Sequence, residues 1–140
     1  YRFVLFLDDL SFEADDPSYK ALKSALEEPR IVFTKDLLER AAIASVCIAD
    51  DVALPHARTA AVNRIVLAVA RTAMPVAFDP EHPAVRLVFL IGTPKAAVAE
   101  YLQTVAALSR LLKNGATRAA LLAAPTEAEF RAVLARAQKR

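Results

Sequence analysis

The sequence predicts an α/β fold: a three-layer α/β/α sandwich with a mixed central sheet of about four to five strands. Ile65-Val66-Leu67-Ala68-Val69-Ala70 and Val85-Arg86-Leu87-Val88-Phe89-Leu90-Ile91 are nearly continuous apolar runs bounded by polar or turn residues, the pattern of strands covered on both faces. Ala96 to Lys113 sets Val98, Leu102, Val105, Leu108 and Leu112 on one stripe, as an amphipathic helix lying on a sheet requires. The order of elements, a strand, two helices, several strands and then three helices, supplies lids for both faces.

In chain order, Tyr1 to Leu7 is aromatic and bulky and reads as a short strand, which Asp8-Asp9 and Ala14-Asp15-Asp16-Pro17 bring to an end. From Ser18, the positions Leu22, Ala25 and Leu26 recur at helical spacing until Pro29 closes the segment. Thr34 is placed to cap a second helix, Lys35 to Ala42, with Leu37, Leu38 and Ala41 inward and Lys35, Asp36, Glu39 and Arg40 outward. Ser45 to Asp51 reads as a connector, and Val52 to Leu54 as a brief extended stretch running into Pro55-His56.

Pro75 to Phe78 fits a short edge strand, because edges tolerate proline, and Asp79-Pro80-Glu81-His82-Pro83 fits a turn. Asn114-Gly115 reads as a left-handed cap closing the long helix, followed by a short helix over Ala116 to Ala123. Thr126-Glu127-Ala128-Glu129 matches a capping box that opens a last helix with Phe130, Val133 and Leu134 inward. No linker or repeat interrupts this order, so residues 1–140 are expected to form a single domain.

Eighteen basic and sixteen acidic residues leave a formal charge of +2 with the signs interspersed. That balance argues against a nucleic-acid surface. No apolar run approaches the roughly 18 residues of a spanning helix, so membrane insertion is not expected. A lone Cys47 cannot form an internal disulfide, which suits a cytoplasmic location. With two histidines and one cysteine at unrelated spacing, neither a metal nor another cofactor is expected. Gly92 and Gly115 are the only glycines, so the chain lacks a Gly-rich phosphate loop, and neither Ser45 nor Ser109 sits in a Gly-x-Ser-x-Gly elbow.

The chemistry concentrates in Val52-Ala53-Leu54-Pro55-His56-Ala57-Arg58. A neutral imidazole is a nucleophile toward phosphorus, and a guanidinium two residues on offers paired donors to phosphoryl oxygens. Pro55 keeps the segment extended and presents the ring at an edge that another protein can approach. The plainer reading pairs Arg58 with Asp50 or Asp51. His82, between Glu81 and Pro83, reads as a solvated loop residue.

Lys35-Asp36-Leu37-Leu38-Glu39-Arg40, Ile43-Ala44-Ser45, the heptapeptide around His56, Val88-Phe89-Leu90 and Leu108-Ser109-Arg110-Leu111-Leu112 occur in an order that resembles a known family. It is the fructose/mannitol-type enzyme IIA family of the bacterial phosphoenolpyruvate-dependent phosphotransferase system, including its nitrogen-regulatory branch. The resemblance runs from about Lys35 to Leu134. It implies an α/β/α sandwich in which His56 accepts phosphate from a histidine phosphocarrier protein, with Arg58 beside it. Onward partners would be an enzyme IIB domain or, in the regulatory branch, a transporter or kinase under control. The alternative is an enzyme IIA-like protein-binding regulatory module without phosphotransfer.

Two departures from the family pattern matter. Ser45-Val46-Cys47-Ile48-Ala49-Asp50-Asp51 stands where the family commonly reads Ser-Thr-Gly-Ile-Gly-Asn-Gly. Three glycines are lost and two carboxylates gained, which should reshape the turn and set negative charge against a phosphate. Tyr101 stands where many members carry a second histidine. On this reading Tyr101 and Ser45 join Arg58 as phosphoryl-binding residues around His56.

Overall fold

The computed structural model describes residues 32–138. The strand expected at Tyr1 to Leu7 and the helix expected from Ser18 lie outside them. The first described element is a helix, α1, running to residue 41. Five strands follow, β1 (Cys47–Ala49), β2 (Val52–Ala53), β3 (His56–Thr59), β4 (Val66–Val76) and β5 (Val85–Pro94). Three helices complete the described residues, α2 (Val98–Lys113), α3 (Gly115–Ala123) and α4 (Glu127–Ala137).

The sheet is mixed and built around β5. β4 lies antiparallel along one side of it, pairing Val66 with Gly92 and Val76 with Val85. β2 and β3 share the other side, both parallel to β5, with Val52 opposite Leu87 and His56 opposite Ile91. They are two pieces of one extended path, interrupted at Leu54-Pro55, where Ile91 N–H donates to the Pro55 carbonyl at 2.9 Å. β1 returns antiparallel outside β2.

Side-chain parity on β5 explains the layers, because successive residues of a strand point to opposite faces. Leu87, Phe89 and Ile91 are fully buried and join Leu108, Leu112, Leu121, Phe130 and Leu134 of α2, α3 and α4 in one core. Gly92 points the other way, and a β-carbon there would meet Val66 and the Phe33 ring of α1. Helices therefore cover both faces, as the uninterrupted apolar strands require.

Several local expectations change. Thr34 lies inside α1 and does not cap it. The inward stripe of α1 is Phe33, Asp36, Leu37 and Arg40, spaced at i, i+3, i+4 and i+7 and half-buried, while Leu38 is 66% exposed and Ala41 is exposed. Residues 45–51 are not a plain connector, since β1 forms there and folds onto β2. The edge strand expected at Pro75 is the far end of β4, continuous with it beyond an irregularity between Arg71 and Val76. Proline is tolerated there because β4 is an edge.

Asn114 is extended and not left-handed (φ −74°, ψ 111°), and its side chain accepts from Thr117 N–H to cap α3. One residue thus ends α2 and starts the next helix, which leaves no room for a left-handed cap. On α2 the buried line is Thr104, Leu108 and Leu112. Val98 and Leu102, expected inward, are 46% and 60% exposed. Thr126 caps α4 as expected, its hydroxyl accepting from Glu129 N–H, while the Glu129 carboxylate accepts from that hydroxyl.

Candidate functional site

His56 is the first residue of β3 and sits on the face that α2 covers, because it lies opposite Ile91 of the buried set. Its Nδ1 is 2.6 Å from the carbonyl oxygen of Leu54. A carbonyl only accepts, so Nδ1 carries the proton and donates, leaving the lone pair on Nε2. Pro55, whose ring fixes φ, joins Leu54 to His56. Burial lowers the pKa of the ring; the Leu54 carbonyl works against this by favouring the charged form, and the Arg40 charge adds to the lowering. The outcome is a neutral imidazole with a fixed tautomer.

Tyr101, on the second turn of α2, brings its ring centroid to 5.7 Å from that of His56, inclined at 41°. The Arg58 guanidinium lies 5.9 Å from the same Tyr101 centroid, within reach of a cation–π attraction. Its Nη1 donates to the Lys95 carbonyl at 3.2 Å, just before α2. Arg58 thus spans the gap between β3 and α2, and is itself exposed. His56 and Arg58 both approach the Tyr101 ring, and the three form one constellation.

Arg58 is not paired with the acidic turn as the plainer reading had it. Asp51 approaches Arg118 of α3, Oδ1 to Nε at 2.6 Å. The approach lies outside hydrogen-bond geometry, so this is an ion pair and not a hydrogen bond. The Asp51 carbonyl also accepts from Arg86 and Leu87 N–H. These contacts place Asp51 at the Leu87 end of β5, whereas His56 faces Ile91, roughly 13 Å along the strand. The Asp51 carboxylate that was expected to oppose a phosphate is therefore turned away from His56 and balanced by a cation.

Ser45 is not brought to the constellation by any contact of its hydroxyl, which donates to Asp79 Oδ2 at 3.0 Å and accepts from Cys47 N–H at 3.2 Å. His82 is not a solvated loop residue. Its side chain is 17% exposed and its Nδ1 is 2.8 Å from Asp79 Oδ1. Cys47, Asp79 and His82 are the one group among the described residues that could hold a metal ion, with ligand atoms all within 4.8 Å of one another.

Arg40, which the sequence reading leaves out of the site, is half-buried. The sequence reading sets it on the outer face of α1, yet its charge lowers the pKa of the His56 ring. The signal was present: starting the helical stripe at Phe33 brings Arg40 onto the inner face one turn after Asp36 and Leu37. Among the described residues no helix is long and apolar enough to cross a membrane.

Comparison with known proteins bears on the family and the fold. The model of a family described as "Phosphoenolpyruvate-dependent sugar phosphotransferase system, EIIA 2" matches residues 19–137. A second model, of a protein family of unknown function, matches residues 1–30. The chain is 38% identical over 101 residues to a PTS system fructose-specific EIIA component of Haloferax volcanii, covering 71% of this chain and 65% of that protein. It is 31% identical over 96 residues to a nitrogen regulatory protein of Bradyrhizobium diazoefficiens, covering 68% of this chain and 62% of that one. The chain thus spans a little under two thirds of the length of these relatives. The crystal structure of nitrogen regulatory protein IIA-Ntr from Neisseria meningitidis superposes with a TM-score of 0.66 at 31% identity, covering 71% of this chain and 69% of that one. With its mixed sheet, its covering helices and a family match over most of its length, this chain belongs to the EIIA 2 family of the phosphoenolpyruvate-dependent sugar phosphotransferase system.

Proposed function

We propose that the protein is a phosphoryl carrier of the phosphotransferase system, of the regulatory kind, and that His56 is its acceptor. The observation that carries this reading is the 2.6 Å contact of His56 Nδ1 with the Leu54 carbonyl. It leaves Nε2 unprotonated, so a phosphorus–nitrogen bond can form there as the bond to the donor's histidine breaks. No proton has to leave the attacking atom. Arg58 neutralises charge on the phosphoryl oxygens, Arg40 adds a second positive charge, and Tyr101 offers a hydroxyl donor beside the ring. Ser45 serves as a phosphoryl ligand only if its hydroxyl leaves Asp79.

The donor is a histidine phosphocarrier protein, and the onward partner is an enzyme IIB domain or a regulated transporter or kinase. The half-exposed Val98 and Leu102 flank Tyr101 on α2 and give such partners an apolar surface. The names of the Bradyrhizobium and Neisseria relatives favour the regulatory role.

The test is incubation with phosphoenolpyruvate, enzyme I and the carrier protein. An acid-labile label is expected, absent in His56→Ala and formed about a hundredfold more slowly in Arg58→Ala. No label on the wild type, or an undiminished one in His56→Ala, overturns the proposal. Tyr101, which cannot readily carry positive charge, stands where a second histidine is common. That feature favours a second reading, a binding module without phosphotransfer. This module would show no label while still retaining a partner in pull-downs equally well with wild type and His56→Asp.

A further inference from the structure

We propose that Cys47, Asp79 and His82 form a binding site for a borderline divalent cation of the Zn2+ class, separate from the His56 constellation. Their ligand atoms, one thiol, one carboxylate and one imidazole, lie within 4.8 Å of one another, and all three residues are half-buried. The combination of sulfur, nitrogen and oxygen donors suits zinc and cobalt and does not suit magnesium or calcium, which take oxygen. Three protein ligands leave a fourth tetrahedral position for water.

The cluster is built by topology. Cys47 opens β1, while Asp79 and His82 belong to the turn between β4 and β5, where they form an isolated bridge. Ser45, just before β1, reaches Asp79 across 34 positions of sequence, which shows how closely the turn lies against the start of β1. That separation is why the linear sequence hid the site. Asp79 is also held by the N–H groups of Glu81 and His82 at 2.9 and 2.8 Å, so its carboxylate is positioned before any ion arrives. The His82 contact holds the Asp79 carboxyl below its ordinary range, which keeps it a charged ligand. Burial and then the Asp79 charge hold the Cys47 thiol above its ordinary value. A metal takes cysteine as thiolate, so binding releases the thiol proton to solvent, while a neutral His82 that donates from Nδ1 to Asp79 keeps Nε2 free to coordinate.

The experiment titrates the reduced, chelator-treated full chain with Co2+ and then with Zn2+. A thiolate-to-cobalt charge-transfer band is expected, saturating at one ion per chain and bleached by Zn2+. Cys47→Ser should abolish it, and His82→Ala and Asp79→Asn should each weaken Co2+ binding by about tenfold or more. His56→Ala should leave the band intact, and Zn2+ should raise the melting temperature of the wild type. Absence of the band, Co2+ affinity unchanged in both His82→Ala and Asp79→Asn, or loss of the band in His56→Ala overturns the site. The two substitutions at the turn keep the test decisive even if Cys47→Ser fails to fold. No residue of this site belongs to the constellation around His56, so its failure and that of the phosphocarrier reading are independent.

Discussion

At His56 the same contacts that fix the tautomer also set the pH response. Burial and then the Arg40 charge lower the pKa of the ring, against the opposing pull of the Leu54 carbonyl. The unfolded chain, with an ordinary value of about 6.5, therefore binds a proton before the folded chain does. Above about 6.5 the ring is neutral in both states and contributes no pH dependence. As pH falls through that value the unfolded state gains protons first, so folding is progressively disfavoured until the lowered folded value is passed. His56→Gln should remove this part of the acid-side loss, measured as urea midpoints across a pH series. Arg40→Gln should raise the imidazole pKa, followed by NMR of the ring protons, and slow phosphoryl acceptance by about tenfold or more. An unmoved titration curve would show that Arg40 does not act on the ring. The common strand of His56 and Arg58 was legible in the sequence because only two positions separate them. Arg40 was not, because its proximity depends on how α1 turns over the sheet.

Elements were legible in proportion to their length. β4, β5 and α2 carry long apolar patterns and lie close to where periodicity puts them. β1 and β2 have three and two residues, too few for alternation to register against the background of a loop. What holds this short hairpin is a tertiary clamp: Arg118 pairs with Asp51 at its turn and donates through Nη1 to the Leu112 and Lys113 carbonyls at 2.8 and 3.0 Å. Arg118→Ala should lower stability by about 1–3 kcal/mol, since it strands a half-buried carboxylate and frees two helix-end carbonyls. Coupling to Asp51→Asn in a double-mutant cycle isolates the ion pair. A null result would show that the carbonyl contacts carry the clamp.

A different constraint acts where α1 meets the sheet. A β-carbon on Gly92 would lie 2.9 Å from Val66 Cγ2 and 3.1 Å from Phe33 Cζ. Val66 is β-branched and has little rotamer freedom to yield. Gly92→Ala should therefore cost about 1–3 kcal/mol and speed amide exchange in α1, and Val66→Ala in the same chain should recover part of the loss. An exchange rate unchanged in Gly92→Ala would mean that Phe33 does not anchor α1.

For the molecule as a whole, the sandwich was legible because strands that are apolar throughout need lids on both faces. The order in which they lie was not legible, because placing β5 between β4 and the β2–β3 path is a matter of long-range pairing. That central position makes one contact between layers a sensitive test of the fold. Phe130 of α4 is fully buried and stacks on Phe89 of β5, with centroids 6.5 Å apart and planes at 24°. Phe130→Ala opens a cavity between the central strand and the helical layer and should cost about 3–5 kcal/mol, a large part of the roughly 5–15 kcal/mol by which a domain is stable. The denaturant midpoint should fall with an unchanged slope, and far-ultraviolet circular dichroism and tyrosine fluorescence should report coincident transitions. Separate transitions by the two probes would show that α4 packs on an independent unit. His56 is held by β3, Leu54 and the first turns of α2, a set that does not include Phe130. The fraction of Phe130→Ala that remains folded should therefore accept phosphate at the wild-type rate.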